Sequence, residues 1–450
     1  MKIIIAGVGK LGEYLAKSLV KEEHAVTLID LDFTTSQDII NNEDLNYING
    51  NALDANILLE AGIKDTDLLI SVMDQDELNT ICCLLGKKLG AKNTIARIRT
   101  PEYAYSTAIL KDDLGLSMTI NPEKLTANHI ARVLSIPSAI NATIFFKGRI
   151  QMISIKVKEK SILEGLSITS LQKRIEGRII VCAIERNKEI IIPRGNTKIQ
   201  EGDILYITGA RKEIRDFLRV AHLAEETRKV MISGGSNTAI YLAKSLAEMD
   251  IETKIIEINE ERCELLSEKL PNTLIIHGDA SNQNLLYEEE LDKCDAYVTL
   301  GSIDEENIIS SMFASMLNVP KIITKVNHIN LDGIIEKANI DTVITPHKIA
   351  TNQIVKYVRA MQNGKSSSCE SIYKFDDDKF EMLEFKIKND FKKLNTKVKD
   401  LKLKDGVLIA AILRKEKIIF PTGYDEIKVK DTIVVIDKDS KIQDINDILE

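Results

Sequence analysis

The sequence predicts an α/β chain: two tandem Rossmann-like domains with doubly wound parallel sheets, each followed by a small α+β domain. Three observations predict it. Apolar, strand-like runs alternate with segments of helical spacing over residues 1–135, the pattern of a parallel sheet with crossover helices. A glycine-rich loop, Gly7-Val8-Gly9-Lys10-Leu11-Gly12, stands between the first such strand and the first such helix. The whole organisation then recurs, as it does only in chains built from repeated units.

Lys2–Ala6 is an apolar run and Lys10–Lys21 has helical spacing. Ala25–Ile29 and Leu68–Val72 are further apolar runs, and Val26, Ile29, Ile70 and Val72 in them are β-branched, which favours strands. Between the two Rossmann-like copies, Ala142–Gly209 has another character. Short strands are expected at Ile150–Val157, Ile179–Ile184 and Glu189–Ile192, followed by a Pro193-x-Gly195 turn, Gly202-Asp203 and the apolar Ile204–Thr208. Hairpins of this kind make a small α+β module, and Ser371–Ile436 repeats it.

The repeat is exact enough to align by eye. Tyr14-Leu-Ala-Lys-Ser-Leu19 returns as Tyr241-Leu-Ala-Lys-Ser-Leu246 at an offset of 227. At an offset of 228, Gly50-Asn51-Ala52 matches Gly278-Asp279-Ala280, and Asp76-Glu77-Leu78-Asn79 matches Asp304-Glu305-Glu306-Asn307. Pro193-x-Gly195 matches Pro421-x-Gly423 at that offset too. The expected domains are 1–135, 140–222, 228–360 and 368–450. The polar run Asn363-Gly-Lys-Ser-Ser-Ser368 reads as a linker, and the charged segment Arg211–Lys229 as a helical bridge between copies.

Bulk properties exclude several classes. A net charge of −8 and a pI near 5.6 argue against nucleic acid as a partner. No apolar run approaches the roughly 20 residues of a membrane-spanning helix, and Met1–Ile5 reads as a strand rather than a signal peptide. A cytoplasmic location is expected. The six cysteines, Cys82, Cys83, Cys182, Cys263, Cys294 and Cys369, form no Cys-x-x-Cys pair and read as small core residues. The six histidines carry no metal-ligand spacing, so no metal is expected. No Gly-x-Ser-x-Gly elbow, no Gly-x4-Gly-Lys-Ser/Thr loop and no His-Asp or Lys-Tyr arrangement is present. His129 reads as structural, and no catalytic residue is expected. The alternative is an NAD-dependent oxidoreductase, which needs a proton donor beside the nicotinamide.

The loop points to a nucleotide. Gly7 permits a tight turn, Gly9 lets the backbone approach a pyrophosphate, and Gly12 lets the helix pack on the strand. The helix N-terminus then offers free N–H groups to phosphate. Asp30 ends the second strand, 18 residues after Gly12, where an acid grips a ribose diol. No arginine follows in Leu31-Asp32-Phe33-Thr34, so NAD is expected rather than NADP. Asn51 and Ala52 flank the adenine position, and Met73 and Asp74 follow the fourth strand. Asp76 is expected to cap the next helix. Arg97 and Arg99 alternate, so one faces the cleft and can meet phosphate, while Arg99 suits a surface ion pair. In the second copy, Gly234-Gly235-Ser236-Asn237-Thr238-Ala239 keeps the first glycine but has Ser236 at the second and Ala239 at the third. Glu257 keeps the acid and Lys325 takes the Arg97 position.

In order along the chain these motifs resemble the TrkA family of potassium-uptake regulators, built from RCK units (TrkA-N, also KTN, plus TrkA-C). The matching stretches are Lys2–Gly9, Ile29-Asp30, Asp76–Asn79, Ile95–Arg99, Pro101–Tyr103, Pro122–Lys124, Ile191–Gly195 and Gly202-Asp203. The resemblance implies a nucleotide-sensing subunit, peripheral at the inner face of the membrane, that assembles into a ring, a tetramer, beneath a TrkH/TrkG-like potassium-translocating subunit. It implies NAD(H), and ATP or ADP, as ligands. Carried over residue by residue, the first site uses Gly7, Val8, Gly9, Lys10, Leu11, Asp30, Met73, Asp74 and Arg97. The second uses Gly234, Gly235, Ser236, Asn237, Thr238, Glu257 and Gly301. The chain departs from the family pattern at Asn51, where Asp is common, and at Ser236.

Overall fold

The structure, a computed structural model, describes the whole chain except residues 33–44, 137, 146–149, 176, 224–225, 328–339, 341, 367–368, 376–379, 416, 439–441 and 443. It divides into two compact units: Met1–Ile130 with Lys229–Val355, and Ala131–Arg228 with Lys356–Glu450.

The first unit holds both Rossmann-like copies. In copy one the described elements run β1 (Lys2–Ala6), α1 (Lys10–Lys21), β2 (Ala25–Asp30), β3 (Leu45–Asn49), α2 (Ala55–Glu60), β4 (Leu68–Ser71), α3 (Asp76–Leu89), β5 (Asn93–Arg97), α4 (Pro101–Ile109), β6 (Met118–Ile120) and α5 (Pro122–Leu134). The six strands lie in the order β3-β2-β1-β4-β5-β6, all parallel. Ile3, Ile4, Ile5 and Ala6 are all buried, because helices cover both faces of a parallel sheet. Helix α1 turns Leu11, Leu15, Ala16 and Leu19 inward, the i, i+4, i+8 stripe of an amphipathic helix. The strand order reverses between β1 and β4, and the crevice above that switch is where such sheets bind ligands.

The second unit holds the two hairpin modules. The first contains β7 (Asn141–Phe145), β8 (Ile150–Lys156), α6 (Ile168–Gln172), β9 (Ile180–Arg186), β10 (Glu189–Ile191), β11 (Ile204–Gly209) and α7 (Arg211–Val220). Its antiparallel sheet has the order β10-β9-β11-β8-β7. Arg186 grips buried Asp203 with two 2.8 Å hydrogen bonds and donates to the Lys198 carbonyl at 2.9 Å.

The second Rossmann-like copy repeats the first: β12 (Lys229–Ser233), α8 (Asn237–Ala247), β13 (Glu252–Glu257), α9 (Glu260–Lys269), β14 (Leu274–His277), α10 (Gln283–Glu288), β15 (Ala296–Thr299), α11 (Asp304–Met316), β16 (Lys321–Lys325) and β17 (Thr342–Ile344). Its sheet order, β14-β13-β12-β15-β16-β17, is the same. Helix α12 (Pro346–Ser366) leads to β18 (Cys369–Phe375), β19 (Phe380–Lys386), β20 (Val407–Arg414), β21 (Lys417–Ile419) and β22 (Thr432–Asp437). The sheet β18-β19-β22-β20-β21 is the first module read from the other edge, and Arg414 holds Asp431 as Arg186 holds Asp203. A shared core of Cys182, Tyr206, Phe380, Met382, Ala410 and Val434 joins the modules. Tyr206 and Phe380 meet edge to face, with ring centroids 4.9 Å apart.

Two expectations are corrected. The polar run from Asn363 is not a linker as far as Ser366: α12 continues through it, since one glycine costs a helix only about 1 kcal/mol. Ser367 and Ser368 lie outside the described residues. Among the described residues of the bridge after the first module, only Arg211–Val220 is helical. Cys82, Cys83, Cys182, Cys263 and Cys294 are free and buried, and burial pushes the Cys82 thiol up to about 11; the side chain of Cys369 lies outside the described residues. Among the described residues, no helix is long and apolar enough to cross a membrane, and no group of three or more His, Cys, Asp or Glu is placed to hold a metal ion.

Candidate functional site

The first cleft is built on backbone that only glycine tolerates. Gly7 has φ +95°, and a Cβ there would stand 2.8 Å from the Met73 nitrogen. A Cβ on Gly12 would fall 2.1 Å from the Gly7 carbonyl oxygen, so Gly12 sets how closely α1 lies on the loop. Gly9 differs: a Cβ there meets nothing within 4 Å. Its front is open, and α1 begins there without a side-chain cap, leaving the first-turn N–H groups of Lys10 and Leu11 facing the opening. Asp30, at the end of β2, closes one side of the loop. Its Oδ2 accepts from Val8 N–H at 2.5 Å and its Oδ1 from Asp32 N–H at 3.1 Å. Each oxygen keeps a lone pair for a ribose hydroxyl. Phe33 and Thr34 lie outside the described residues.

The back wall rests on one buried amide. Asn79 is fully buried; its Oδ1 accepts from Met73 N–H at 2.7 Å and from Ser71 Oγ at 2.9 Å. Its Nδ2 donates to the carbonyls of Met73 at 2.9 Å and Arg97 at 3.0 Å. Met73 and Asp74 are thereby fixed beside the loop. Arg97 Nη1 donates to the Val72 carbonyl at 3.3 Å, and its buried Nε has no hydrogen-bond partner. Burial, then Arg99, lowers the Arg97 pKa, while Glu123, Asp74 and Asp76 oppose that shift. Arg99 donates to the Asp74 carbonyl and lies 4.0 Å from Asp76. Asp76 does not cap its own helix, whose N-cap is Gln75. It reaches across the sheet instead and accepts from the N–H groups of Arg99 and Thr100 at 2.9–3.0 Å. Asn51 turns its Oδ1 to Leu53 N–H at 2.9 Å, and Ala52 is buried behind it. Open loop, free lone pairs and an unpartnered arginine donor fit a nucleotide diphosphate.

The second cleft keeps this geometry despite its altered motif. Gly234 has φ +92°, and a Cβ would stand 2.9 Å from the Gly301 nitrogen. Glu257 Oε2 accepts from Gly235 N–H at 2.6 Å and Oε1 from Asn259 N–H at 2.9 Å. Asn307 plays the part of Asn79, bonded to Gly301 N–H, the Gly301 carbonyl and the Lys325 carbonyl at 3.0–3.1 Å. Lys325 Nζ donates to the Leu300 carbonyl at 3.1 Å, as Arg97 does to Val72. Ser236, Asn237 and Thr238 open α8, and Ala239 is buried at the third glycine position.

The two copies also touch within this unit. Tyr241 Oη lies 3.1 Å from Asn121 Nδ2 and 3.3 Å from the Arg99 carbonyl. Tyr14 stacks on His347, with ring centroids 6.1 Å apart. Burial, with Lys10, Arg97 and Lys325 close by, lowers His347 to about 4. Sequence reasoning did not single out Asn79 and Asn307 as wall residues, although both stand in the repeated motif. Nor did it find the Tyr14–His347 pair or Arg262, which donates from Nε to the Gly235 carbonyl at 2.7 Å and from Nη2 to Asn237 Oδ1 at 3.0 Å and so braces the second loop; no sequence signal exists for either.

A repeated Rossmann cleft joined to a repeated antiparallel module defines a tandem protein of the nucleotide-binding type. The chain matches the TrkA-N domain over residues 3–122 and 230–346, and the TrkA-C domain over 152–222 and 382–450. It is 32% identical over 448 residues to the Trk system potassium uptake protein TrkA homolog of Archaeoglobus fulgidus, covering 100% of both chains. It is 31% identical to Trk system potassium uptake protein TrkA of Haemophilus influenzae, covering 98% of this chain and 96% of that one. The fold is that of the GsuK RCK domain: TM-score 0.64, 16% identity, 97% of this chain and 92% of that one. A GsuK channel bound to NAD superposes with TM-score 0.64 at 16% identity, covering 97% of this chain and 76% of that one. The chain belongs to the TrkA family of Trk-system potassium uptake proteins.

Proposed function

We propose that this chain is the nucleotide-sensing regulatory subunit of a Trk-type potassium uptake system and runs no reaction of its own. The observation that carries the reading is the first cleft. Asp30 is fixed on the Val8 N–H opposite a loop whose Gly9 front is open. NAD(H) and the adenine nucleotides ATP and ADP are the ligands proposed, and NAD and ADP are those held by GsuK structures of the same fold. The diphosphate lies on the first turn of α1 over Gly7–Leu11, Asp30 takes the ribose diol, and Arg97 offers its free donor to phosphate. Asn51, Ala52, Met73 and Asp74 line the adenine side and wall.

The partner proposed is a TrkH/TrkG-like potassium-translocating subunit, with the chain in a homo-oligomeric ring, a tetramer, at the cytoplasmic face of the membrane. Nucleotide acts by population shift: it must bind one ring shape more tightly than another. A coupling of about 1–3 kcal/mol changes transport roughly 5–150-fold.

Calorimetric titration of the full chain with NAD, NADH, ATP and ADP tests the reading, with Asp30→Ala beside it. Saturable binding weakened at least about tenfold by the substitution is expected, since about 1.4 kcal/mol is tenfold. No binding of any of the four overturns it, and turnover of a hydroxy or amino acid with NAD turns the reading to an oxidoreductase.

A further inference from the structure

The two hairpin modules share a fold but not a surface charge. Equivalent backbone bonds fix their alignment: Thr169 N–H donates to the Gly195 carbonyl, and Lys399 N–H to the Gly423 carbonyl, both at 2.9 Å. The stretch 386–404 of the second module therefore corresponds to 156–174 of the first. It holds eight lysines against Asp390 and Asp400, a net +6. Its counterpart holds five cations against Glu159 and Glu164, a net +3, in a chain that carries −8 as a whole. Lys388, Lys392, Lys393, Lys397, Lys399 and Lys402 are all exposed. A second stretch, 423–431, is laced to the first: Asn395 N–H donates to the Ile427 carbonyl and Lys430 N–H to the Ile387 carbonyl, both at 2.9 Å. It adds exposed Lys428 and Lys430 to the same surface, while two of its acids have internal partners. Asp425 accepts from Thr422 N–H at 2.6 Å and from Thr422 Oγ1 at 2.7 Å, and buried Asp431 is held by Arg414. Two exposed apolar side chains stand among the lysines. Tyr424 is 71% exposed, with Lys399 Nζ 4.2 Å from its ring centroid, and Val429 lies between Lys428 and Lys430.

We propose that this lysine strip of the second hairpin module is a docking surface for the headgroups of an anionic lipid bilayer. Every cation in 386–404 and 423–431 is a lysine. Lysine is a compact point charge on a flexible stem, suited to headgroups that move, whereas the rigid fork of arginine suits the fixed phosphates of nucleic acid. Clusters of about 4–8 basic residues are attracted to anionic leaflets in this way. Tyr424 and Val429 give the strip apolar tips for the headgroup layer, where amphipathic rings settle. The attraction falls off within a Debye length, about 8 Å at physiological salt, so the contact is reversible. The first module, with half the excess charge, does not share the role. The inference goes beyond the nucleotide-sensing reading and does not depend on it: the strip meets lipid whether or not a nucleotide is bound.

Sedimentation of the full chain with protein-free vesicles tests it. Vesicles of phosphatidylcholine alone, and of phosphatidylcholine mixed with phosphatidylglycerol, are offered to the parent and to Lys392→Gln/Lys393→Gln/Lys397→Gln. A control, Lys156→Gln/Lys158→Gln/Lys173→Gln, removes the same charge from the first module, and Lys392→Arg/Lys393→Arg/Lys397→Arg keeps the charge of the strip. All these positions are exposed, so the variants should melt with the parent. The expected result is binding to the anionic vesicles alone, lost as salt is raised. The second-module glutamines should weaken it at least about tenfold, the first-module glutamines less than about twofold, and the arginines should retain it. No sedimentation with anionic vesicles, equal sedimentation with phosphatidylcholine alone, or equal weakening by the two glutamine variants would overturn the inference. A fluorescent DNA duplex is titrated in parallel, and DNA binding that depends on the strip without vesicle binding would overturn it in favour of nucleic acid. Nucleotide titration reads separately: vesicle binding by a chain that binds no nucleotide sustains the inference and overturns the sensor reading, and nucleotide binding without vesicle binding does the opposite.

Discussion

Asn79→Ala is the substitution that most directly exposes what holds the first cleft together. Asn79 is fully buried and makes four hydrogen bonds of 2.7–3.0 Å, to Ser71, Met73 N–H, the Met73 carbonyl and the Arg97 carbonyl. A buried hydrogen bond contributes about 0.5–1.5 kcal/mol net, and an orphaned buried partner costs about 1–3 kcal/mol. Truncation strands the Met73 N–H and leaves two carbonyls with one partner fewer. The expected loss is about 3–5 kcal/mol, or roughly 10 °C in melting temperature for a domain of this size. Asn79→Asp keeps both acceptor bonds but turns a carboxylate oxygen toward two carbonyls, so its near-identical shape gives no rescue. Thermal unfolding by circular dichroism, with ADP titration of the folded variants, measures both effects. Melting within about 2 °C of the parent, with unchanged ADP affinity, would refute the assignment of Asn79 as the anchor of the Met73–Asp74 wall.

Two further substitutions test other parts of the fold. His347 titrates near 4 in the fold against 6.5 in the open chain, so the fold favours the neutral ring. Its contribution is complete above pH 6.5 and is lost as pH falls toward 4, up to about 3 kcal/mol at 1.36 kcal/mol per unit. His347→Phe keeps a ring against Tyr14 and should flatten the melting temperature between pH 6.5 and 4 relative to the parent; parallel curves would contradict this. Asp203→Asn breaks the paired bonds to Arg186 at a fully buried carboxylate. It should destabilise the hairpin unit by about 3–5 kcal/mol, read by chemical denaturation, and Asp431→Asn should do the same to the repeated module.

How much was legible in the sequence follows from how local each cause is. Gly7, Gly9 and Gly12 announce the loop because their geometry is set within six residues of chain, and Asp30 follows one helix and one strand later. The offset of 227–228 residues exposed the doubled architecture with no spatial knowledge at all. Asp76 was misread because its acidic position at a helix start has a common local explanation, whereas its real partners are the N–H groups of Arg99 and Thr100, 23 and 24 residues away. Asn363–Ser366 was misread because polarity and glycine mark a linker only when nothing upstream carries a helix through them. Arg262 and the Tyr14–His347 stack depend on which helices the sheets bring together, and no spacing in one dimension encodes that.

Potassium flux is the most direct test of the central claim that occupancy of the first cleft regulates transport. The full chain would be reconstituted with a TrkH/TrkG-like translocating subunit in liposomes, and flux measured against NAD, NADH, ATP and ADP. The account predicts that at least one nucleotide changes flux roughly 5–150-fold, and that Asp30→Ala, while still binding the membrane subunit, shifts this response to higher nucleotide concentration or abolishes it. Flux that ignores every nucleotide, or a response untouched by Asp30→Ala, would contradict it.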